Sequence, residues 1–479
     1  MLRNKLYKPA SMAFISLALQ ACSPAMPVHK TEHTLTPAYY TDSHPQDSSG
    51  SGTIAWSHFF NDPYLTLLID TALQNNQELN IILQEIQISK NEIRVRKGEY
   101  LPFVGIKAGA GAEKPGRYTS RGANDAQAEM LPGKEIPETL PDFMAGAYAT
   151  WELDIWHKLR NAKKAAVARY LSSIEGKNFM VTNLVAEIAS AYYELLALDN
   201  ELDILESNIE IQKNALQIVK LQKEAAHVTE LAVRRFEAQV LHTQSLQYSI
   251  QQQIIETENR INFLLGRYPQ NIKRNSNNFA QLIPTVVKTG IPAQLLSNRP
   301  DIRQAEQELA AAKLDVKVAK ARFYPSVGLS ASIGYQAFDP AYFLKTPESL
   351  LYSLAGDLAA PLINRNAIKA AYYSANAKQI QTVYAYERTI LNGYIEVVNA
   401  LSKIQNLDSS YNARSKQVAA LSRSVEISND LFASARADYM EVLLTQRDAL
   451  EAKFEMIDTR KEQLIAVVNV YRSLGGGWR

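Results

Sequence analysis

The sequence predicts an α+β membrane protein made of two copies of one unit, each supplying two short strands and a pair of very long helices. Three observations carry that expectation. Blocks of sequence recur at a nearly fixed distance, four helical runs outgrow any globular core, and strands about ten residues long alternate apolar with small residues.

The recurrence comes first. Aligning Pro102 with Pro325 sets an offset of 223, which brings Asn75-Asn76-Gln77-Glu78-Leu79 onto Asn298-Arg299-Pro300-Asp301-Ile302. Tyr100-Leu-Pro-Phe-Val-Gly then meets Phe323-Tyr-Pro-Ser-Val-Gly. Further on, Arg160-Asn-Ala-Lys-Lys-Ala-Ala166 meets Arg365-Asn-Ala-Ile-Lys-Ala-Ala371 at an offset of 205, and Leu265-Gly266 meets Leu474-Gly475 at 209. The offset falls because the segment at about 115–141 is longer than its partner at 338–349, and variable length between matched flanks marks a surface loop.

Each copy reads helix, strand, loop, strand, long helix, long helix. The first helix is expected over about 62–98, with its counterpart over 300–322, where Asp301 can cap the start and Ala305, Leu309, Ala312, Val316 and Ala319 recur at helical spacing. Pro102 and Pro325 end these helices. In the following strands Val327, Leu329, Ala331, Ile333 and Tyr335 alternate with Ser326, Gly328, Ser330, Ser332 and Gly334. Phe143, Ala145, Ala147, Ala149, Trp151 and Leu153 alternate likewise with Met144, Gly146, Tyr148, Thr150, Glu152 and Asp154. Strands near 102–112 and 350–362 complete the set. Ten residues is the length a tilted strand needs to cross a bilayer. The pattern alone also fits one face of a soluble sandwich. The Gly/Ser face and the aromatics near the strand ends (Tyr100, Phe103, Trp151, Phe323, Tyr324, Phe338, Tyr342, Phe343) favour a membrane. The remaining runs, about 156–226, 229–265, 364–434 and 438–473, are helical hairpins. A helix of roughly 65 residues is about 100 Å long, the scale of a coiled coil.

The N-terminus is an address. Arg3, Lys5 and Lys8 precede a short apolar core and then Leu19-Gln20-Ala21-Cys22, with Ser23 after it. The sole cysteine, placed after a small residue, resembles the bacterial lipoprotein lipobox, which implies a lipidated Cys22 as the mature N-terminus and, with Ser23, routing to the outer membrane. The polar stretch to about Gly52 reads as a tether. Its His29-Lys-Thr-Glu32-His33 matches an H-x-x-E-H metal pattern, but that chemistry needs both imidazoles on one helix face, and this segment is loop-like. The expected organisation is a leader over 1–21, a lipidated tether over 22–52, a first repeat over 53–266, an equatorial linker over 267–298 and a second repeat over 299–479.

Composition narrows the function. The 479 residues are 46% hydrophobic and 21% charged, too apolar for a disordered chain. Lysines and arginines number 51 against 49 acids, and removing the leader leaves 48 against 49, so no basic footprint for nucleic acid exists. One cysteine rules out an intramolecular disulfide and a multi-cysteine metal site. No phosphate-binding loop or serine nucleophile elbow is present, so neither energy coupling nor an enzyme is expected, and no cofactor beyond the lipid on Cys22.

Four strands cannot close a barrel, and an open edge cannot face lipid. Either the strands are soluble or several chains share one barrel, and three chains would supply twelve strands. Trp151-Glu-Leu-Asp154-Ile-Trp156, Leu264-Leu-Gly-Arg267, Arg299-Pro-Asp-Ile302 with Ala305-Glu306, Phe323-Tyr-Pro-Ser326 and Tyr471-Arg-Ser-Leu-Gly-Gly-Gly-Trp478 resemble the outer-membrane efflux lipoproteins, the TolC-like channels of tripartite resistance-nodulation-division pumps, over about Trp56 to Trp478. The resemblance implies a homotrimer with a twelve-stranded transmembrane β-barrel and a long periplasmic α-helical barrel. It also implies a periplasmic adaptor (membrane fusion protein) and an inner-membrane resistance-nodulation-division pump as partners, and a passive duct for small molecules such as drugs. An exit duct for type I protein secretion and a non-channel coiled-coil lipoprotein are the alternatives. The family's gate acid lies at the second hairpin tip, here Ala433-Ser-Ala-Arg436-Ala437-Asp438-Tyr439; its aspartate aligns with Ala437, so adjacent Asp438 is the candidate, with Arg436 a departure. Asp438 also suits the cap of the returning helix. Thr229 and Glu230 occupy the first tip.

Overall fold

The computed structural model describes residues 30–40, 50–276, 279, 282, 288–363, 365–434 and 436–479. Cys22, the leader, His29 and the Ile283-Pro284 part of the linker lie outside the described residues. In order, the principal elements are α1 (Pro63–Asn75), α2 (Gln77–Tyr100), β1 (Phe103–Glu113), β2 (Leu140–Leu153), α3 (Lys158–Glu224), α4 (Glu230–Leu264), α5 (Pro300–Ala321), β3 (Ser326–Ala337), β4 (Leu350–Ala359), α6 (Asn366–Ala433) and α7 (Tyr439–Ser473). These fall into two compact units, one holding Gln87–Leu171 and Gln307–Val383, the other Glu32–Ile86, Ser172–Glu306 and Tyr384–Arg479.

In the first unit the four strands form one antiparallel sheet in the order β1-β2-β3-β4. The two alternations read from the sequence pair in register, Ala145 opposite Tyr335, Ala147 opposite Ile333 and Trp151 opposite Leu329, with Gly146 opposite Gly334 and Thr150 opposite Ser330 on the other face. Between β1 and β2 lies a longer connection holding a short helix (Ser120–Asp125) and a two-stranded ribbon of Glu129–Leu131 with Lys134–Glu135. Phe323 departs from the interfacial role expected of it. It is buried and packs edge-on against Tyr372 at 5.7 Å, so it holds the α5 end to the start of α6.

The second unit is helical. Its core sets Leu65, Ile69 and Ala72 of α1 against Ile188, Tyr192, Leu195 and Leu196 of α3, Ile261 of α4 and Val468 and Tyr471 of α7. Each of the leucine, isoleucine and valine side chains contributes about 1.5–3 kcal/mol on burial. Phe59 stacks on Tyr471 at 3.9 Å, and the Tyr471 hydroxyl donates to Ile54 O, which ties the chain before α1 to the last helix.

The structure departs from three further expectations. The first helix is not continuous over 62–98 but breaks at Asn76 (φ −58°, ψ 127°). Its Oδ1 accepts from Leu79 N–H at 2.9 Å and its Nδ2 donates to Leu264 O at 2.9 Å, so an asparagine side chain replaces the helical ladder for one residue. Asp301 is not the cap of α5. Pro300 takes the first helical position, and Asp301 in the first turn accepts from the guanidinium of Arg299 instead. Nor is all of the polar stretch over 22–52 a loose tether: Tyr40 is buried and stacks on Tyr394 at 5.5 Å, while His33 N–H donates to Glu387 Oε1. Residues 30–36 have no helical backbone, so Glu32 and His33 share no helix face.

Candidate channel wall and hairpin tips

The sheet has two unlike faces. Val104, Ile106, Ala108 and Ala110 of β1 continue, through Ala147 and Ala145, to Ile333 and Tyr335 of β3 and to Tyr352, Leu354 and Leu358 of β4. Much of this apolar face is uncovered: Ile106 is 86% exposed, Leu354 82% and Tyr352 79%. An area of this kind marks contact with lipid or another chain. On the opposite face stand Gly105, Lys107, Gly109, Gly146, Tyr148, Thr150, Ser330, Ser332, Gly334 and Ser353. Among the described residues, β1 pairs only with β2 and β4 only with β3, so both outer edges offer unpaired backbone groups.

The polar face stays low because glycines receive its larger side chains. A Cβ at Gly105 would lie 2.8 Å from the ring of Tyr148, so the phenol lies across Gly105 along the wall, 6.0 Å from Phe103. At one end of the sheet Trp151 Nε1–H donates to Tyr100 O, and Trp156 Nε1–H donates to Pro325 O while stacking on Tyr324 at 4.8 Å. Here the indoles satisfy their polar atoms and fix the turns where helix meets strand.

The hairpin tips are built alike. At the first, Ala226 takes a left-handed backbone (φ 60°) and His227 N–H donates to Gln222 O; at the second, Arg436 N–H donates to Leu431 O. With Ala226 N–H donating to Lys223 O as well, the first is a helix C-cap of the Schellman kind. Alanine carries a left-handed backbone at a cost that glycine avoids, so Ala226→Gly is expected to stabilise the chain by about 0.5–1 kcal/mol in denaturant unfolding; a loss of stability would contradict this cap geometry. Asp438 is exposed, at the N-cap position of α7 (φ −80°, ψ 151°), where its side chain makes no capping hydrogen bond. Arg436 is exposed nearby. Thr229 likewise precedes α4 without a side-chain cap bond. Glu230 pairs with Lys223 and with Arg234, each at 2.9 Å, and these cations, Lys223 foremost, hold its carboxyl below the usual range.

No described helix is long and apolar enough to cross a membrane, and the described residues contain no cluster fit to hold a metal ion. A family model described as outer membrane efflux protein matches residues 68–267 and 291–476, most of the chain. The chain belongs to the outer membrane efflux protein family. Similar proteins include the pyoverdine export outer membrane protein OpmQ of Pseudomonas aeruginosa, 27% identical over 432 residues, covering 90% of this chain and 89% of OpmQ. The cation efflux system protein CusC of Escherichia coli is 25% identical over 472 residues, covering 97% and 98%. Of solved structures, the open state of the MtrE outer membrane channel of Neisseria gonorrhoeae matches with a TM-score of 0.83 at 21% identity, over 96% of this chain and 99% of that one. The fold is therefore that of the TolC-like efflux channels, and this outer membrane efflux protein is a transport component of the outer membrane.

Two structural features of this efflux protein escape a reading by motif. Arg274, in the expected linker, donates to both oxygens of Asp199 (2.6 and 2.8 Å), to Glu258 and to Ile272 O, clamping the linker to α3 and α4. Asp199 and Glu258 lie 75 and 16 residues away in sequence, so no local pattern signals the clamp. Lys107 shares the polar sheet face with Tyr148, which the alternation along β2 had already put there; period two carried along β1 would have added Lys107.

Proposed function

We propose that three copies of this chain close a twelve-stranded barrel through the outer membrane and continue it as a periplasmic helical barrel. This duct passively conducts small molecules from the periplasm to the exterior. The observation that carries the reading is the sheet: one uncovered apolar face, one low polar face and two unpaired edges. In hydrocarbon each unpaired backbone group costs several kcal/mol, and pairing β4 of one copy with β1 of the next removes both edges. Glycine, serine and a flat-lying Tyr148 on the inner face keep the bore open.

Two copies of one unit underlie each chain. In support, Gly266 (φ 67°) and Gly475 (φ 86°) end α4 and α7 in the same left-handed conformation, and a Cβ on either would collide with Asn75 O or Asn298 O. Asn76 donates to Leu264 O, and Arg299, its aligned counterpart, to Ser473 O. Cys22 carries the lipid anchor, so Cys22→Ser is expected to abolish labelling by radioactive palmitate; persistent labelling would sink the lipoprotein reading.

A periplasmic adaptor and an inner-membrane resistance-nodulation-division pump complete the assembly and set the cargo. The names of OpmQ and CusC point to pyoverdine and to cations, so this type of duct serves chemically unlike compounds. Asp438 is the gate acid, in a ring of carboxylates that repel one another, with Arg436 and Glu230 modulating the field at the tips. In planar bilayers Asp438→Ala is expected to pass more current than the wild type. Equal currents with equal ion selectivity would remove Asp438 from the gate, and silence from both proteins would count against the duct itself.

A further inference from the structure

On the polar face of the sheet an open hollow of about 530 Å3 centres on one register level. Lys107 stands opposite Gly146, which stands opposite Gly334, so two glycines form its floor. A Cβ on Gly146 would lie 2.7 Å from Ile333 O, and one on Gly334 would lie 2.5 Å from Ala145 O; no side chain fits at either position. Met144 and Tyr148 wall the hollow from β2, and Ser332 adds a hydroxyl from β3. By register the nearest carboxylate on the sheet's polar face is Asp142, opposite Gly111, which accepts from Gln336 Nε2; Glu152 and Glu113, farther along, pair with Lys158 and Arg121.

We propose that this hollow is a contact site for amphipathic organic anions, with the apolar body on the glycine floor against Tyr148 and Met144 and the acid group at the Lys107 ammonium. The inference rests on the barrel reading, which places the polar face in the bore and repeats the site once per copy. An ammonium beside flat, apolar surface suits an aromatic carboxylate or sulfonate: the ring gains burial and the anion gains a charge-assisted bond. The same site offers an organic cation only repulsion at Lys107.

The test is an equilibrium titration of the detergent-purified protein with 1-naphthalenesulfonate, by calorimetry. Saturable binding is expected, weakened about fivefold or more in Lys107→Gln, retained in Lys107→Arg and falling with added salt. Equal binding by Lys107→Gln, or uptake that never saturates, would overturn the site. In bilayers the same probe should reduce the wild-type current at lower concentrations than it does that of Lys107→Gln; an unreduced wild-type current, or equal reduction of both, would also overturn it. A wild type that passes no current would count against the duct, while the titration would still decide whether the hollow binds the anion.

Discussion

Arg299→Ala is expected to destabilise the chain by about 3–5 kcal/mol, measured by denaturant unfolding in detergent. Arg299 is 4% exposed, and its guanidinium meets Asp301 through two bonds (3.0 and 2.7 Å), Glu396 at 2.7 Å and Ser473 O at 3.0 Å. Burial works against its charge, and the hydrogen bonds it donates to Asp301, together with the charges of the Asp301 and Glu396 carboxylates, more than offset this. Truncation would leave the Asp301 carboxylate, itself mostly buried, without its cation, and Ser473 O without a donor. The Glu396 contribution is small, because that side chain is half exposed. Lysine should not restore stability, since an ammonium cannot make the paired bonds to Asp301. A change below about 1 kcal/mol for Arg299→Ala would contradict this description.

Gly475→Val is the second large effect. Its backbone has φ 86°, and a Cβ there would lie 2.6 Å from the carbonyl of Asn298. The left-handed conformation costs a branched residue roughly 1–2 kcal/mol and the overlap roughly 1–3, so a loss of about 3 kcal/mol is expected. The change should also loosen Trp478, whose indole N–H donates to Asn298 O at 3.2 Å. The readouts are the unfolding midpoint and the tryptophan emission of Trp478. Near-wild-type values of both would mean that α7 ends differently.

The strands and long helices were legible because their signals are local. Period two located β2 and β3 within about three residues, and it already paired Trp151 with the same face as Leu329. Prolines and helical spacing gave the ends of α2, α3, α6 and α7 closely. What escaped is non-local. The break at Asn76 is fixed by Leu264 O, 188 residues away, and its one sequence signal is the repeat, which aligns Asn76 with Arg299 just before the helix start at Pro300. The docking of Tyr40 on Tyr394 is of the same kind. For the tips, sequence supplied the residues, and the structure adds their setting: Asp438 free of a capping bond, Glu230 held between Lys223 and Arg234. The difference matters for function, because a carboxylate not committed to its own helix is available to a gate.

Several copies of this chain are expected to make one conducting pore. Single-channel recording from the detergent-purified protein in planar bilayers, with its mass measured in the same detergent, tests this most directly. Discrete current steps from a particle of three chains are expected. A monodisperse single chain that passes no current would contradict it, because the two sheet edges would then have no partner and the polar face would enclose nothing.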